Sequence, residues 1–234
     1  MNLTDAKVLI TGGSSGIGLE TAKQLVLAGA KVAICGRDEA RLYQAAKESG
    51  AFPIQADVSN ETDVKRMVEA VIAEFGGYNV LVNNAAYGHF AMLTDMETAK
   101  FNELLATNLT GAMLAARESA RHFVAQKHGN IVNISSTAGL AGFAGGSAYV
   151  ATKFALKGMT ECWRQELRKH NIRVMLVNPS EVQTHFGANA GMEARPHNAS
   201  KLEAIEMAHT VVSMLAMHDR GFIAEATVWA TNPQ

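Results

Sequence analysis

A short apolar run, Lys7-Val8-Leu9-Ile10, leads directly into Thr11-Gly12-Gly13-Ser14-Ser15-Gly16-Ile17-Gly18, and a helical pattern follows. Strand, glycine turn and helix in immediate succession constrain the fold more than any other stretch of this chain. Gly12 permits a tight turn, while Gly16 and Gly18 let backbone approach a pyrophosphate and let helix pack on sheet. The helix N-terminus then presents unpaired N–H groups to phosphates. The spacing is Gly-x-x-x-Gly-x-Gly, so the ordinary Gly-x-Gly-x-x-Gly fingerprint is not matched literally. No Gly-Lys-Ser/Thr follows, which argues against a nucleotide triphosphate loop.

The same alternation continues along the chain. Strands are expected at 7–11, 31–35, 51–55, 79–82, 130–134, 172–177 and 223–229, with helices at 16–28, 39–48, 60–75, 98–126, 149–169 and 200–217. Short apolar strands between long amphipathic helices describe an α/β, doubly wound Rossmann fold, an about seven-stranded parallel sheet covered on both faces. At 234 residues and 48% hydrophobic content, the chain is expected to form one domain, 1–234. A formal charge of −1 gives no electrostatic reason to bind nucleic acid, and small molecules are the better expectation. Cys35 and Cys162 read as small hydrophobes rather than a disulfide, which fits a reducing, cytoplasmic compartment. No window is long and apolar enough for a membrane span.

The distinctive residues fall at strand ends, where a parallel sheet gathers its ligands. After the second strand come Gly36-Arg37-Asp38. An acidic residue there favours a free ribose hydroxyl, whereas Arg37 suits a 2′-phosphate. Asp38 is also well placed as an N-cap, so NADP(H) is favoured over NAD(H). Asp57 is either an adenine-binding acid or a turn residue. Asn83-Asn84-Ala85-Ala86 ends the fourth strand. Asn108 is a polar residue inside a helical pattern, solvent-facing unless a tertiary partner holds it. Ser135-Ser136-Thr137 delivers hydroxyls after the fifth strand, where capping would also explain them. Tyr149 and Lys153 lie four apart, on one helix face, where a neighbouring cation lowers a phenol's pKa toward working pH.

Together these segments resemble the classical short-chain dehydrogenase/reductase family over nearly the whole length. Thr11 to Gly18 looks like its cofactor loop, Asp57 like its adenine-binding acid, and Asn83 to Ala86 like its Asn-Asn-Ala-Gly motif with Ala86 in place of Gly. Asn108, Ser136, Tyr149 and Lys153 match its catalytic tetrad. The resemblance implies that Tyr149 is the general acid/base and that Ser136 binds the substrate oxygen. Lys153 would contact the nicotinamide ribose and lower the Tyr149 pKa, and Asn108 would support a water-linked relay. It further places Gly12, Ser14, Ser15, Gly16, Ile17, Gly18, Arg37, Asp57, Val58, Asn84, Ala85, Tyr149, Lys153, Pro179, Val182 and Thr184 at the cofactor.

Asn178-Pro179-Ser180 has Ser180 where the family usually has Gly, a position that would constrain backbone near nicotinamide. The C-terminus lacks the double glycine common in ketoacyl reductases of fatty-acid synthesis. Segment 185–199 looks like the substrate lid. Tyr87, His89, Phe143, Glu181 and Phe186 are candidate pocket liners beside Ser136 and Tyr149, and each also reads as ordinary loop packing. No metal cage emerges, since His185 and His197 are separated by a patternless stretch. The implied activity is NADP(H)-dependent reduction of a small carbonyl to an alcohol, or the reverse. A 3-oxoacyl thioester reductase is the alternative, and a nonenzymatic dinucleotide-binding protein ranks below both. The 98–126 and 149–169 patterns resemble family interface helices, with Ala112, Ala115, Ala116 and Ala120 permitting close packing. A homotetramer is expected, with a homodimer second.

Overall fold

The computed structural model describes residues 1–184, 186–190 and 196–232. Seven parallel strands form one sheet: β1 (Lys7–Thr11), β2 (Lys31–Gly36), β3 (Phe52–Gln55), β4 (Val80–Asn83), β5 (Gly129–Ile134), β6 (Ile172–Pro179) and, last in the chain, β9 (Glu225–Val228). Their spatial order is β3-β2-β1-β4-β5-β6-β9. The order reverses direction between β1 and β4, which opens a crevice above the carboxyl ends of these strands.

The central strands β1, β4, β5 and β6 are buried on both sides, and their side chains sort by the period of two. Val8, Ile10, Val80, Val82, Val132, Met175 and Val177 face one helical layer, made by α1 (Gly16–Leu27), α2 (Glu39–Ser49) and α8 (Ala204–Ala216). Leu9, Leu81, Ile131 and Val174 face the other, made by α3 (Glu61–Phe75), α5 (Ala112–Gln126) and α6 (Ser147–Leu167). Burying such apolar area stabilises the fold by about 25 cal/mol per Å².

The expected elements all form, with four informative differences. The helix expected over 98–126 is three segments: α4 (Thr98–Leu105), a π-helical turn (Ala106–Gly111) and α5. The helix expected from 200 begins only at Ala204, because Leu202–Glu203 (β8) pairs in parallel with Val182–Gln183 (β7). Glu203 then starts α8 through a reciprocal capping box with Glu206. A short helix, α7 (Phe186–Asn189), lies where no element is expected. Of the four alanines, Ala112, Ala115 and Ala116 are buried in the chain's own core, with Ala115 and Ala116 against the sheet, so these three cover the sheet rather than form an exposed docking face, while Ala120 stays half-buried.

Candidate active site

The turn after β1 is built from backbone that only glycine adopts cheaply. Gly12 and Gly16 have φ of 65° and 54°, and a Cβ on Gly18 would fall 2.5 Å from the Gly12 carbonyl oxygen. Ser15 occupies the N-cap of α1, yet its hydroxyl makes no capping hydrogen bond. The first turn of α1 therefore faces the crevice with its N–H groups free of a side-chain cap, the arrangement that suits phosphate. The Thr11 hydroxyl accepts from the backbone N–H of Asn84 (3.0 Å) and Ala85 (3.1 Å), while Asn84 Nδ2 donates to the carbonyls of Thr11 and Gly12. The loop after β4 is thereby fastened to the glycine turn. The Asn84 amide is committed to this scaffold, a role that the sequence motif does not reveal.

At the end of β2, Asp38 caps α2 by accepting from Arg41 N–H at 2.9 Å. Arg37 is exposed, and its guanidinium stands 3.9 Å from Asp57. Asp57 is a turn residue here, its carboxylate accepting from Ser59 N–H (2.9 Å) and Oγ (2.7 Å). Arg41, which no sequence motif singles out, also lines this end of the crevice.

The second half of the site hangs on buried polar contacts. Asn83 Nδ2 donates to Asn133 Oδ1 (3.1 Å), and Asn133 Nδ2 donates to Thr160 Oγ1 (2.8 Å), tying β4, β5 and α6 together. Asn108 lies in the π-helical turn and is buried, not solvent-facing. Its side chain clasps Tyr87 through both backbone groups, at 3.0 and 2.9 Å, and reaches Thr152 Oγ1 at 3.4 Å. Thr152 in turn donates to the Tyr149 carbonyl at 2.7 Å. The amide is thus occupied by positioning contacts, and Asn108 is not part of the crevice wall.

Tyr149 and Lys153 sit one turn apart on α6, with Ser136 opposite at the end of β5. All three line the crevice. Lys153 Nζ donates to the Ile134 carbonyl at 2.9 Å and stands 5.6 Å from the centre of the Tyr149 ring. Burial pushes the Tyr149 phenol up to about 12, while a hydrogen bond with Ser136 acts to lower it. Burial also brings the Lys153 ammonium down to about 8. Burial is the leading influence on each group.

Gly12, Ser14, Ser15, Gly16, Ile17, Arg37, Asp57, Val58, Asn84, Ala85, Pro179, Val182 and Thr184 all line the same crevice, with Gly18 packed behind them. The crevice encloses roughly 2660 Å³, more than one small ligand needs. Tyr87, Phe143, Glu181 and Phe186 line it too, but His89 does not; the neighbouring Phe90 does. Glu181 takes the Lys201 ammonium at 2.7 Å. Ser180 brings no backbone strain, since the only non-glycine residues with positive φ among those described are Lys127 and Asn171. His197 pairs with Glu203 at 2.8 Å, and His185 lies outside the described residues, as does 191–195 of the expected lid.

The short chain dehydrogenase profile matches residues 6–195. The chain belongs to this family. It is 36% identical over 196 residues to YxnA, an uncharacterized oxidoreductase of Bacillus subtilis, a match that covers 80% of this chain and 55% of that longer protein. A 3-ketoacyl-(acyl-carrier-protein) reductase from Brucella melitensis, solved with NADH, superposes with a TM-score of 0.88 at 27% identity over 96% of each chain. An alcohol dehydrogenase from Thermococcus sibiricus, solved with 5-hydroxy-NADP, superposes with a TM-score of 0.87 at 25% identity, over 98% of this chain and all of that one. A nicotinamide dinucleotide is thus the cofactor class of the family, and the glycine cradle, the open start of α1 and the buried Lys153 fit such a group. No helix among the described residues is long and apolar enough to cross a membrane.

Proposed function

We propose that this chain is an NADP(H)-dependent oxidoreductase that reduces a small carbonyl compound to an alcohol, or catalyses the reverse, with residues 1–234 acting as one unit. The observation that carries this reading is the convergence of Ser136, Tyr149 and Lys153 in one crevice with the glycine cradle. When bound, the dinucleotide supplies the hydride. The protein's part is to receive the negative charge that develops on the carbonyl oxygen. Tyr149 Oη gives that oxygen its proton, and Ser136 Oγ donates a second hydrogen bond to it. Lys153 holds the ribose and keeps a positive charge beside the phenol. Asn108 is a positioning residue that fixes the Tyr87 loop against α6.

The preference for NADP(H) rests on Arg37. Its pair with Asp57 is loose and exposed, of the kind worth about 0–1 kcal/mol, so the guanidinium is free to turn to a 2′-phosphate. Asp38, the residue that would bind a free ribose hydroxyl, is committed to the cap of α2.

A second reading, reduction of a 3-oxoacyl thioester, is favoured by the Brucella neighbour and by a 3-oxoacyl-[acyl-carrier-protein] reductase of Thermotoga maritima that is 33% identical over 207 residues, 86% of this chain and 84% of that one. The deciding experiment follows NADPH consumption by the purified chain on a matched panel of diketones, quinones, aldehydes and 3-oxoacyl thioesters. Turnover of free carbonyls is expected. Selective turnover of the thioester would replace the first reading by the second, and tight cofactor binding without any turnover would leave a dinucleotide-binding protein.

A further inference from the structure

The residues that fix the carbonyl do not say what the carbonyl is attached to, but the rings around Tyr149 do. Phe90 meets the Tyr149 ring edge to face at 5.7 Å, and Phe186 meets it from another element at 5.4 Å. Phe143 extends the wall, 5.9 Å from Phe90, and is half exposed to the crevice. Two glycines make room for these rings. A Cβ on Gly88 would fall 2.9 Å from Phe90 and 3.0 Å from Phe186, so both rings press on the same bare backbone. A Cβ on Gly146 would lie 2.5 Å from the Phe143 ring. Lys201, which also lines the crevice, is paired with Glu181 at 2.7 Å. The arginines at the far end, Arg37 and Arg41, are the loosely held ones.

We infer that Phe90, Phe143 and Phe186 form a clamp for an aromatic ring, so that the substrate class is aryl-bearing ketones and aldehydes, with Phe90 the specificity-determining residue. The inference rests on the carbonyl-reductase reading above. A planar ring can pack edge to face against three phenylalanines at once, an interaction beyond mere burial. A linear alkyl chain offers no quadrupole and must give up rotamer freedom to fit. Phe90 is the pivot because it touches both Tyr149 and Phe143, and it comes from the loop that Asn108 holds.

The test compares two methyl ketones of equal carbon count and similar carbonyl reactivity, 4-phenylbutan-2-one and decan-2-one, with NADPH and the full chain. Wild type should show a kcat/KM for the aryl ketone about tenfold above that for the linear one. Phe90→Leu should lower kcat/KM for the aryl ketone much more than for the linear one and so erase most of that preference, while NADPH affinity stays near wild type. Phe186→Leu, on a different element, should weaken the preference in the same direction. A wild-type preference for decan-2-one, or an equal loss on both ketones in both variants, would overturn the clamp while leaving the reductase assignment standing. Absence of NADPH oxidation with every carbonyl tested would remove both.

Discussion

The Lys153 ammonium is buried 5.6 Å from the centre of the Tyr149 ring and donates to the Ile134 carbonyl, so two groups that resist desolvation share one pocket. Burial lowers the Lys153 pKa from 10.5 to about 8. Below pH 8 the lysine is charged in both folded and unfolded chains, and the folded state bears the full cost of burying it. Between about pH 8 and 10.5 the unfolded chain binds more protons, so this contribution to stability rises with pH. Lys153→Met removes the titration. Relative to wild type, its stability in urea melts should therefore be higher at pH 7 than at pH 10 by roughly 2–3 kcal/mol. A pH-independent difference would show that Lys153 is not held in this desolvated state.

Much of this site is legible in the amino-acid order itself, and the reason is local. Gly12, Gly16 and Gly18 stand between a strand and a helix whose periods are plain, and the spacing of Tyr149 and Lys153 fixes their shared face. What is not legible depends on contacts between distant segments. The π-helical turn at Ala106–Gly111 hides inside an unbroken helical pattern. The Leu202–Glu203 strand exists only because Val182–Gln183 lies beside it. Phe90 rather than His89 lines the crevice, and the loop after β4 has no period from which that direction could be read. The inward face of Ala112, Ala115 and Ala116 is likewise set by the layer that α5 joins.

The pH dependence of catalysis follows from the same two shifts. Reduction needs Tyr149 protonated, which burial secures up to about pH 12, and Lys153 charged, which fails above about pH 8. The value of kcat/KM for the reduced cofactor, which reports the free protein, should be flat below pH 8 and fall above it. A profile flat to pH 10 would mean that Lys153 retains an ordinary lysine pKa.

Arg37→Ala should weaken NADPH binding roughly ten- to a hundredfold, as expected for loss of a charge-assisted hydrogen bond, and leave NADH binding unchanged. Isothermal titration of wild type and variant with both reduced cofactors measures this. Equal wild-type affinities for the two would reject the Arg37 assignment.

A homotetramer, with a homodimer second, is the proposed assembly, and the outward side of α6, where Phe154 is exposed, is the contact to test. Phe154→Glu should shift the light-scattering mass toward smaller species. A wild-type chain that is monomeric at micromolar concentration rejects the assembly.

Tyr149→Phe tests the chemistry most directly, because it deletes the hydroxyl and keeps the ring that Phe90 and Phe186 pack against. Fold and cofactor affinity should persist, while the rate of reduction falls about 100- to 10,000-fold, the range for loss of a positioned acid. Ser136→Ala removes one of two donors to the developing oxyanion and should slow the chemical step with little effect on the cofactor. Asn108→Ala should act differently again: it frees both backbone groups of Tyr87 and loosens the loop that carries Phe90, so KM should rise more than kcat falls. Single-turnover hydride transfer, measured beside cofactor titration and thermal melts, separates these patterns from misfolding. Near-wild-type single-turnover rates in a folded, NADPH-binding Tyr149→Phe variant would refute the acid assignment, because no other change in that variant could restore a proton donor at the same place.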